Sequence, residues 1–290
     1  MQKLLICVIL LVSATLSAQE KTDHTLQPKV QQLLAGFKGQ VGVYIKNLKT
    51  NRVIAINADT VFPTASMIKV PILIGIMDKI EKKELNYHQE LVYRDSLLYE
   101  GVDILGSFKT DEKIELSKVV MLMLTMSDNT ASLWLQSLAS TGTRINEILD
   151  SIGLVSTRVN SRTPGREAYR GIFGWGQTTP AEMSKLMEKI VKGQLISGEA
   201  SNRMLRMLGR NYWDEAALSS IPAGTFVASK GGAVDSSRSE IVYVNAPRHP
   251  YIFCICTKNN LDTTWDDTNE AWQLAKKLSA LLWKEYGQSR

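Results

Sequence analysis

The spacing of apolar residues changes twice along this 290-residue chain. Near the amino end, residues 41–47 (VGVYIKN) and 53–57 (VIAIN) alternate or run apolar on either side of LKTNR, which predicts a β-hairpin. The middle of the chain has helical spacing, and strand-like runs return after Pro222. Helices are predicted over residues 67–82, 116–126, 129–140, 143–152, 180–192 and 269–286, and further strands over 226–230, 239–245 and 251–257. The pattern predicts one sheet built from both ends of the chain, with a helical insertion between them.

The clearest helix start is at Thr179. Pro180 suits the first helical position, and Glu182 stands three residues after Thr179, so the run is a capping box. We therefore expect the Thr179 side chain to cap a helix that begins at Pro180.

Composition limits the function classes. Hydrophobic residues make up 44% and charged residues 22%, as in ordinary globular proteins, and a net charge of +5 is too small to indicate a nucleic-acid partner. The three histidines lie far apart with no carboxylate or thiol at ligand spacing, so neither a metal site nor another cofactor is expected. Cys254 and Cys256 are two apart in a strand-like run, which is poor geometry for a disulfide, and they are expected to be buried free thiols.

The amino-terminal segment, MQKLLICVILLVSATLSAQE, has the pattern of a secretory signal peptide. It contains Lys3, an apolar run over residues 4–12, and small residues that end at Ala18. Residues 1–18 are therefore predicted to be removed, which leaves residues 19–290 as a secreted, periplasmic domain. No later stretch approaches the roughly 18 uninterrupted apolar residues of a membrane span, so no transmembrane segment is expected in the mature chain.

The first candidate for chemistry is the run Thr64-Ala65-Ser66-Met67-Ile68-Lys69. If Ser66 opens a helix, Lys69 lies one turn later on the same face and can take the hydroxyl proton when its amine is neutral. A helix start also favours the negative charge that develops at an attacked carbonyl. Taken alone, the same spacing describes an ordinary capped, solvated helix.

Two further runs have the same double interpretation. In Ser127-Asp128-Asn129, a hydroxyl could pass a proton to a leaving nitrogen and an amide could hold a substrate carbonyl, or the run could simply cap a helix. In the run 229–233 (SKGGA), Lys230 could polarise the Ser127 hydroxyl, and Gly231 and Gly232 would let a substrate approach the strand edge. The alternative for this run is a turn whose lysine protects an edge strand.

Together the three runs resemble the SxxK, SDN and KTG motifs of the class A serine β-lactamase family and of the penicillin-binding proteins. Their order and separations look like class A, and the resemblance covers essentially the whole mature chain. It implies an α/β (α+β) fold with an antiparallel sheet lobe flanked by helices, over about residues 19–62 and 211–290. An all-helical lobe would span about residues 63–210, with the site between the lobes.

The resemblance also implies residue roles. Ser66 would be the acylated nucleophile, Lys69 its base or proton partner and Ser127 the relay to the β-lactam nitrogen, with Lys230 assisting Ser127. The implied substrate-binding residues are Asn129, Gly232, Ala233 and Arg238. Among them, Ala233 would complete an oxyanion hole with the Ser66 N–H, and Arg238 would bind the substrate carboxylate, although the stretch before it is one residue short.

The chain also departs from the family pattern. Class A enzymes carry ExxLN in the loop before the Thr179 helix start, and its Glu activates the deacylating water; here the loop has no such motif. Its only acid, Glu167, lies later than a match requires, and is either a relocated base or an ordinary solvated or arginine-paired residue. Gly231 replaces the usual Thr or Ser of KTG, which removes a hydroxyl for the substrate carboxylate. Arg238 and Ser229 are the candidates to compensate.

The expected function is a secreted serine β-lactamase that opens β-lactam amides through a Ser66 acyl-enzyme. The alternatives are a penicillin-binding-like D,D-peptidase or esterase, and a β-lactam-binding module that acylates without turnover. The expected partner is a small β-lactam or a peptidoglycan-like substrate, and the expected state is a monomer.

Overall fold

A computed structural model describes residues 19–209, 211–213 and 215–287, so the predicted signal peptide lies outside the described residues. The strands are β1 (Lys21–Thr22), β2 (Gln40–Asn47), β3 (Arg52–Ile56), β4 (Phe62–Pro63), β5 (Glu90–Val92), β6 (Lys113–Glu115), β7 (Arg158–Val159), β8 (Gly176–Thr178), β9 (Val227–Val234), β10 (Ser237–Val244) and β11 (Tyr251–Lys258). The α-helices are α1 (Gln27–Leu34), α2 (Lys69–Glu81), α3 (Leu116–Met121), α4 (Asn129–Leu138), α5 (Thr141–Ser151), α6 (Glu167–Phe173), α7 (Pro180–Val191), α8 (Gly198–Leu208) and α9 (Glu270–Leu282).

The main sheet has the order β1-β3-β2-β11-β10-β9. It joins strands from both ends of the chain, and its neighbours pair antiparallel except for the short parallel contact of β1 with β3. The predicted hairpin is β2–β3, and the helices expected between the two groups of strands fill the middle of the chain. The predicted mixed α/β fold class is confirmed.

The main sheet is buried on both faces, and β10 shows how its residues divide. Ile241 and Tyr243 belong to the core shared with the helices of the middle section, including α2 and α7. Val242 and Val244 alternate with them and pack on the opposite face, in the core shared with α1 and α9. The face to which a β10 side chain points therefore decides whether it lies near α2 or near α9.

A small sheet, β4-β8-β7, ties the loop between α5 and α7 to the start of α2. Phe62 and Pro63 of β4 pair with Thr178 and Gln177 of β8. Directly after β8, the Thr179 side chain accepts a hydrogen bond from the Glu182 N–H at 3.1 Å, so the predicted cap at the start of α7 is confirmed.

The structure differs from the predicted elements in several places. Residues 116–126 form α3 followed by a π-helical turn, Leu122–Met126, and residues 65–68 form a 3₁₀ turn before α2. Sequence periodicity missed α1, α6 and α8, which are short or carry many polar residues. Cys254 and Cys256 are free and buried, as predicted. Within the described ranges, no helix is both long and apolar enough to cross a bilayer.

Candidate active site

Ser66 lies in a tight turn where the small sheet meets the main sheet. It is the second residue of the 3₁₀ turn Ala65–Ile68, which leads into α2, and its side chain is half-buried. The Thr64 N–H donates to the Gly176 carbonyl at 3.0 Å, which fixes the entrance of the turn to β8. Ala65 has a positive φ of 43°, a conformation that non-glycine residues rarely adopt. The backbone before the nucleophile is therefore held by its surroundings in an uncommon geometry.

Lys69, the first residue of α2, is fully buried. Its Nζ contacts the Ser127 carbonyl and lies 3.1 Å from Ser127 Oγ and 3.0 Å from Asn129 Oδ1. Burial holds the pKa of this amine well below its usual value, the positive charge of Lys230 lowers it further, and Asp128 opposes both effects. An amine with a lowered pKa can accept a proton near neutral pH.

Ser127 and Asn129 are presented by a turn that Asp128 holds in place. Ser127 follows the π-helical turn in a left-handed conformation, with φ 62° and ψ 30°. Asp128 is completely buried and its carboxylate accepts from the Ala131 N–H at 2.7 Å, which caps α4, and from the N–H groups of Ile104 and Leu105. Within this motif Asp128 therefore caps a helix, while Ser127 and Asn129 face Lys69.

Lys230 approaches Ser127 from β9, the edge strand of the main sheet. Its Nζ donates to Ser127 Oγ at 3.0 Å and to the Gly231 carbonyl at 2.9 Å. Burial lowers the pKa of Lys230 to about 8, and the charge of Glu240 opposes this. At neutral pH Lys230 is therefore mostly cationic, and it is a proton donor to the Ser127 oxygen.

Glu240 is a buried acid that sequence analysis missed. It stands in β10 directly opposite Gly231 of β9, and its Oε2 accepts from the Ala217 N–H at 3.4 Å. Burial raises the pKa of Glu240 to about 7, while the Ala217 N–H and Lys230 lower it. The signal in the sequence was an acid inside the strand SRSEIVYV, where a buried carboxylate requires a partner.

Gly232 places the β9 edge against the Ser66 turn. A Cβ at this position would lie 2.2 Å from the Thr64 carbonyl oxygen and 2.8 Å from the Ser66 nitrogen, so only glycine allows this approach. Ala233 follows it, half-buried, on the same edge. The predicted oxyanion-hole residues, Ser66 and Ala233, are therefore brought to the same junction of strand and turn.

The structure places the Arg238 guanidinium away from this junction. Arg238 alternates with Ser239, whose hydroxyl donates to the Pro63 carbonyl on the Ser66 side of the sheet. The guanidinium instead donates to backbone carbonyls, among them that of Thr264 at 2.9 Å, and stacks on the rings of Trp265 and Trp272 near α9. The stretch before Arg238 is one residue shorter than the family pattern requires, so the Arg238 side chain lies on the opposite face of the sheet. The guanidinium is therefore not placed for the predicted contact with a substrate carboxylate.

Ser229, the other candidate to compensate for Gly231, is buried, and its hydroxyl accepts from Asn211 Nδ2 at 3.0 Å. Gly231 itself does not have a positive φ, and a Cβ there would meet only the Ser239 carbonyl oxygen at 4.0 Å. The position therefore has room for a side chain although the sequence supplies none.

Glu167 begins α6 and is exposed to solvent. Its carboxylate accepts from the Gly165 N–H at 3.2 Å, within its own loop. The neighbouring Arg166 is half-buried and donates to Asn160 Oδ1 at 3.0 Å and to Gln177 Oε1 at 2.9 Å. Glu167 is thus not brought together with Lys69 and Ser127, and its placement agrees with the solvated alternative.

A family model described as the beta-lactamase enzyme family matches residues 25–286. The structure of PBP-A superposes with a TM-score of 0.81 at 24% identity, covering 92% of this chain and 97% of that one. A mutant of PBP-A, solved as an acyl-enzyme complex with penicillin G, gives the same values. The beta-lactamase of Sphaerobacter thermophilus gives a TM-score of 0.79 at 20% identity, covering 88% of this chain and 96% of that one.

Proposed function

The chain belongs to the beta-lactamase enzyme family, and from this premise we propose that it hydrolyses β-lactam amides through an acyl-enzyme on Ser66. The observation that carries the proposal is the meeting of two buried lysines on one hydroxyl, Lys69 and Lys230 on Ser127, next to the turn that holds Ser66. The acyl-enzyme known for the PBP-A mutant with penicillin G supports the choice of substrate class.

Acylation begins with the Ser66 hydroxyl. Neutral Lys69 takes its proton, and the hydroxyl oxygen bonds to the carbonyl carbon of the β-lactam. The carbonyl oxygen becomes negative and receives hydrogen bonds from the N–H groups of Ser66 and Ala233. Asn129, whose Oδ1 contacts Lys69, would orient the substrate amide through its side-chain N–H₂.

Opening of the ring then requires a proton at the leaving nitrogen. Ser127 supplies its hydroxyl proton as the carbon–nitrogen bond breaks, and Lys69 returns the proton that it took from Ser66 to Ser127 Oγ, 3.1 Å away. The cation of Lys230, 3.0 Å from the same oxygen, stabilises negative charge on Ser127 during the transfer. The proton from Ser66 thus replaces the one that Ser127 gave to the nitrogen, and no net charge is left behind.

A second candidate function differs in the release of the acyl group. It is that of a penicillin-binding kind of protein, which acylates readily and deacylates slowly. The observation in its favour is the solvent-exposed place of Glu167, the only acid in the loop that supplies the water-activating Glu in class A enzymes. If Glu167 has no part in water activation, Glu167→Gln leaves the deacylation rate unchanged. A mutant that accumulates the acyl-enzyme would make Glu167 the base.

The central test combines a chromogenic cephalosporin with intact mass measurement. Many turnovers are expected for a lactamase, whereas a stable one-to-one adduct would select the slowly deacylating candidate. Ser66→Ala should abolish both colour change and adduct. Ser96→Ala, at an exposed serine, is the matched control and should behave as wild type. An adduct that forms on Ser66→Ala at an undiminished rate would refute the proposal.

The same proposal includes export. Residues 1–18 would be removed as a signal peptide, and the mature protein would act in the periplasm or outside the cell. Mass measurement of the protein isolated from the periplasmic fraction tests this, because cleavage after Ala18 predicts a chain that begins at Gln19. A full-length chain in the cytoplasm would contradict it.

A further inference from the structure

The turn that joins β9 to β10 contains only two residues, Asp235 and Ser236. Two-residue hairpin turns of the favoured types, I′ and II′, need a positive φ at the first of these residues, because that backbone twist matches the twist of the strands. Neither Asp235 nor Ser236 has a positive φ. The turn therefore has a form that does not by itself keep the two strand ends aligned, and contacts from outside the turn must hold it.

Arg238 supplies such contacts from the α9 face of the sheet. Its Nη1 contacts the Val234 carbonyl and lies 3.3 Å from the Asp235 carbonyl oxygen and 3.1 Å from that of Ser237. Its Nη2 donates to the Thr264 carbonyl at 2.9 Å. The guanidinium, whose donors form a rigid fork, thus binds carbonyls on both sides of the turn and joins the turn to the loop before α9.

Two tryptophans fix the guanidinium in this place. Its central carbon lies 4.4 Å from the ring centre of Trp265 and 4.7 Å from that of Trp272, within the range of a cation–π contact. Trp265 Nε1 also donates to Asp235 Oδ1 at 2.9 Å, so the same ring binds the turn directly. Arg238 is only 3% exposed. Its side chain is therefore held against the turn and is not accessible to a substrate.

The turn lies next to the proposed oxyanion hole. Ala233, whose N–H is a proposed donor, stands directly opposite Arg238 in the ladder and two residues before Asp235. The residue before it, Gly232, packs against the Ser66 turn. Because β9 is the edge strand of the main sheet, β10 and the turn are its supports within the sheet beyond Gly232. A looser turn would therefore move the Ala233 N–H relative to Ser66.

We propose that Arg238 is a positioning residue for the oxyanion hole. By holding the turn at Asp235 and Ser236, its guanidinium keeps the Ala233 N–H directed at the carbonyl oxygen of a substrate bound at Ser66. The inference rests on the proposed function, because it concerns a donor that the acylation step uses. The family resemblance implied that this arginine binds the substrate carboxylate, whereas its place on the α9 face gives it the backbone of the turn as partner.

The test measures two quantities in stopped-flow acylation, the maximal rate constant and the substrate concentration that gives half of it. The substrates are a chromogenic cephalosporin, which has a carboxylate, and a neutral nitrophenyl ester. Rates are expressed per Ser66 labelled to completion by a fluorophosphonate, so that unfolded protein is not counted. Arg238→Gln is expected to lower the rate constant about 10- to 100-fold for both substrates and to leave the half-saturating concentrations within about threefold, because a misplaced donor weakens only the transition state.

Three further variants separate geometry from charge and from general damage. Arg238→Lys keeps the positive charge but presents one ammonium instead of a fork, so it should not restore the rate. Trp265→Phe removes the bond to Asp235 at a position 58% exposed, where folding should be unaffected, and should lower both rate constants about 3- to 10-fold. It decides the question if the Arg238 variants do not fold. Arg203→Gln is the matched control, since the Arg203 guanidinium also lies over a ring, that of Tyr87, but on α8, and it should change neither quantity.

Two outcomes would refute the inference while the proposed function stands. One is a labelled Ser66 with acylation rate constants within about twofold of wild type in Arg238→Gln and Trp265→Phe. The other is a loss that raises only the half-saturating concentration of the cephalosporin and is restored in Arg238→Lys, which would make Arg238 a carboxylate-binding residue. If the fluorophosphonate does not label Ser66 in wild type, the proposed function fails and this inference fails with it.

Discussion

Lys69 and Lys230 reach the same oxygen atom from two different elements. Their Nζ atoms lie 3.1 Å and 3.0 Å from Ser127 Oγ, and both side chains are buried. Two ammonium groups this close would repel each other strongly away from water, so one of the lysines gives up its proton. Burial holds the pKa of Lys69 well below its usual value, while the negative charge of Glu240 raises the pKa of Lys230 and so favours its charged form. Lys69 is therefore the base of this pair, and Lys230 is the cation.

Lys69→Ala is expected to slow acylation of Ser66 by at least about 100-fold, the usual scale for loss of a general base. Stopped-flow measurement of acyl-enzyme formation with a chromogenic β-lactam checks this. Lys69→Arg is the matched variant, because it keeps a long cationic side chain but cannot be a base near neutral pH. A rate for Lys69→Arg close to that of wild type would contradict the assignment.

Glu240→Gln is expected to move the alkaline limit of acylation to lower pH. Lys230 has a pKa of about 8 and is cationic below it, so its assistance is lost as the pH rises through that value. The charge of Glu240 raises this pKa, and the amide removes the charge, so the proton on Lys230 is lost earlier. At pH 8.5 the acylation rate should therefore fall below that of wild type, because a smaller fraction of Lys230 is cationic, while the two rates should converge at pH 6.

Glu188→Gln is the control for that experiment. Glu188 is also a carboxylate paired with a lysine, at 2.8 Å from Lys46 Nζ, but it lies on α7 away from Ser127. Its removal should leave the pH profile unchanged. An alkaline limit that stays in place in Glu240→Gln, or moves equally in both variants, would show that Glu240 does not act through Lys230.

The fold could be predicted largely from local patterns. The capping box at Thr179 and the alternating runs of β2 and β3 are local signals, and each has its predicted structure. Helix α6 was missed because Pro164 and Gly165 indicate a break in any helix through this loop, whereas the helix begins two residues after Gly165, at Glu167. No local sequence pattern marks the π-helical turn that ends at Met126. This turn places Ser127 next to Lys69, a tertiary contact between residues far apart in sequence.

The site could be predicted only where a motif fixes spacing. Ser66, Lys69, Ser127 and Lys230 come together in this way, but the direction of a strand residue depends on register. One residue fewer between Lys230 and Arg238 moves the guanidinium to the α9 face, which no composition rule shows. The contribution of Glu240 depends on its pairing with Gly231, a contact that the sequence does not state.

Gly232→Ala is expected to reduce fluorophosphonate labelling of Ser66 by about 100-fold or more. The added Cβ would lie 2.2 Å from the Thr64 carbonyl oxygen, so the strand or the nucleophile turn must shift, and displacements of about 1 Å have effects of this size. Gly231→Ala is the matched control, since its Cβ would meet only one atom, at 4.0 Å. Equal labelling rates in the two variants, with equal Tm values, would show that the close approach at Gly232 is not needed.

Gly231→Thr restores the hydroxyl that this chain lacks and tests its effect on activity toward a penicillin. The space is open and φ is not positive, so the β-branched side chain should fit the strand. A hydroxyl bonded to a substrate carboxylate is worth about 1.5–3 kcal/mol, or roughly 10- to 100-fold in kcat/KM for a penicillin.

Glu240 stands directly across from residue 231, however, and cross-strand side chains at such positions lie about 5 Å apart. A threonine hydroxyl would donate to this carboxylate instead of to the substrate. We therefore expect Gly231→Thr alone to gain less than about tenfold, and the double variant with Glu240→Gln to reach the full range, so that the two changes are not additive. A neutral ester assayed in parallel should gain little from either. If Gly231→Thr alone gives the full gain, the threonine hydroxyl reaches the substrate carboxylate in spite of Glu240, and the expected competition between the two acceptors is wrong.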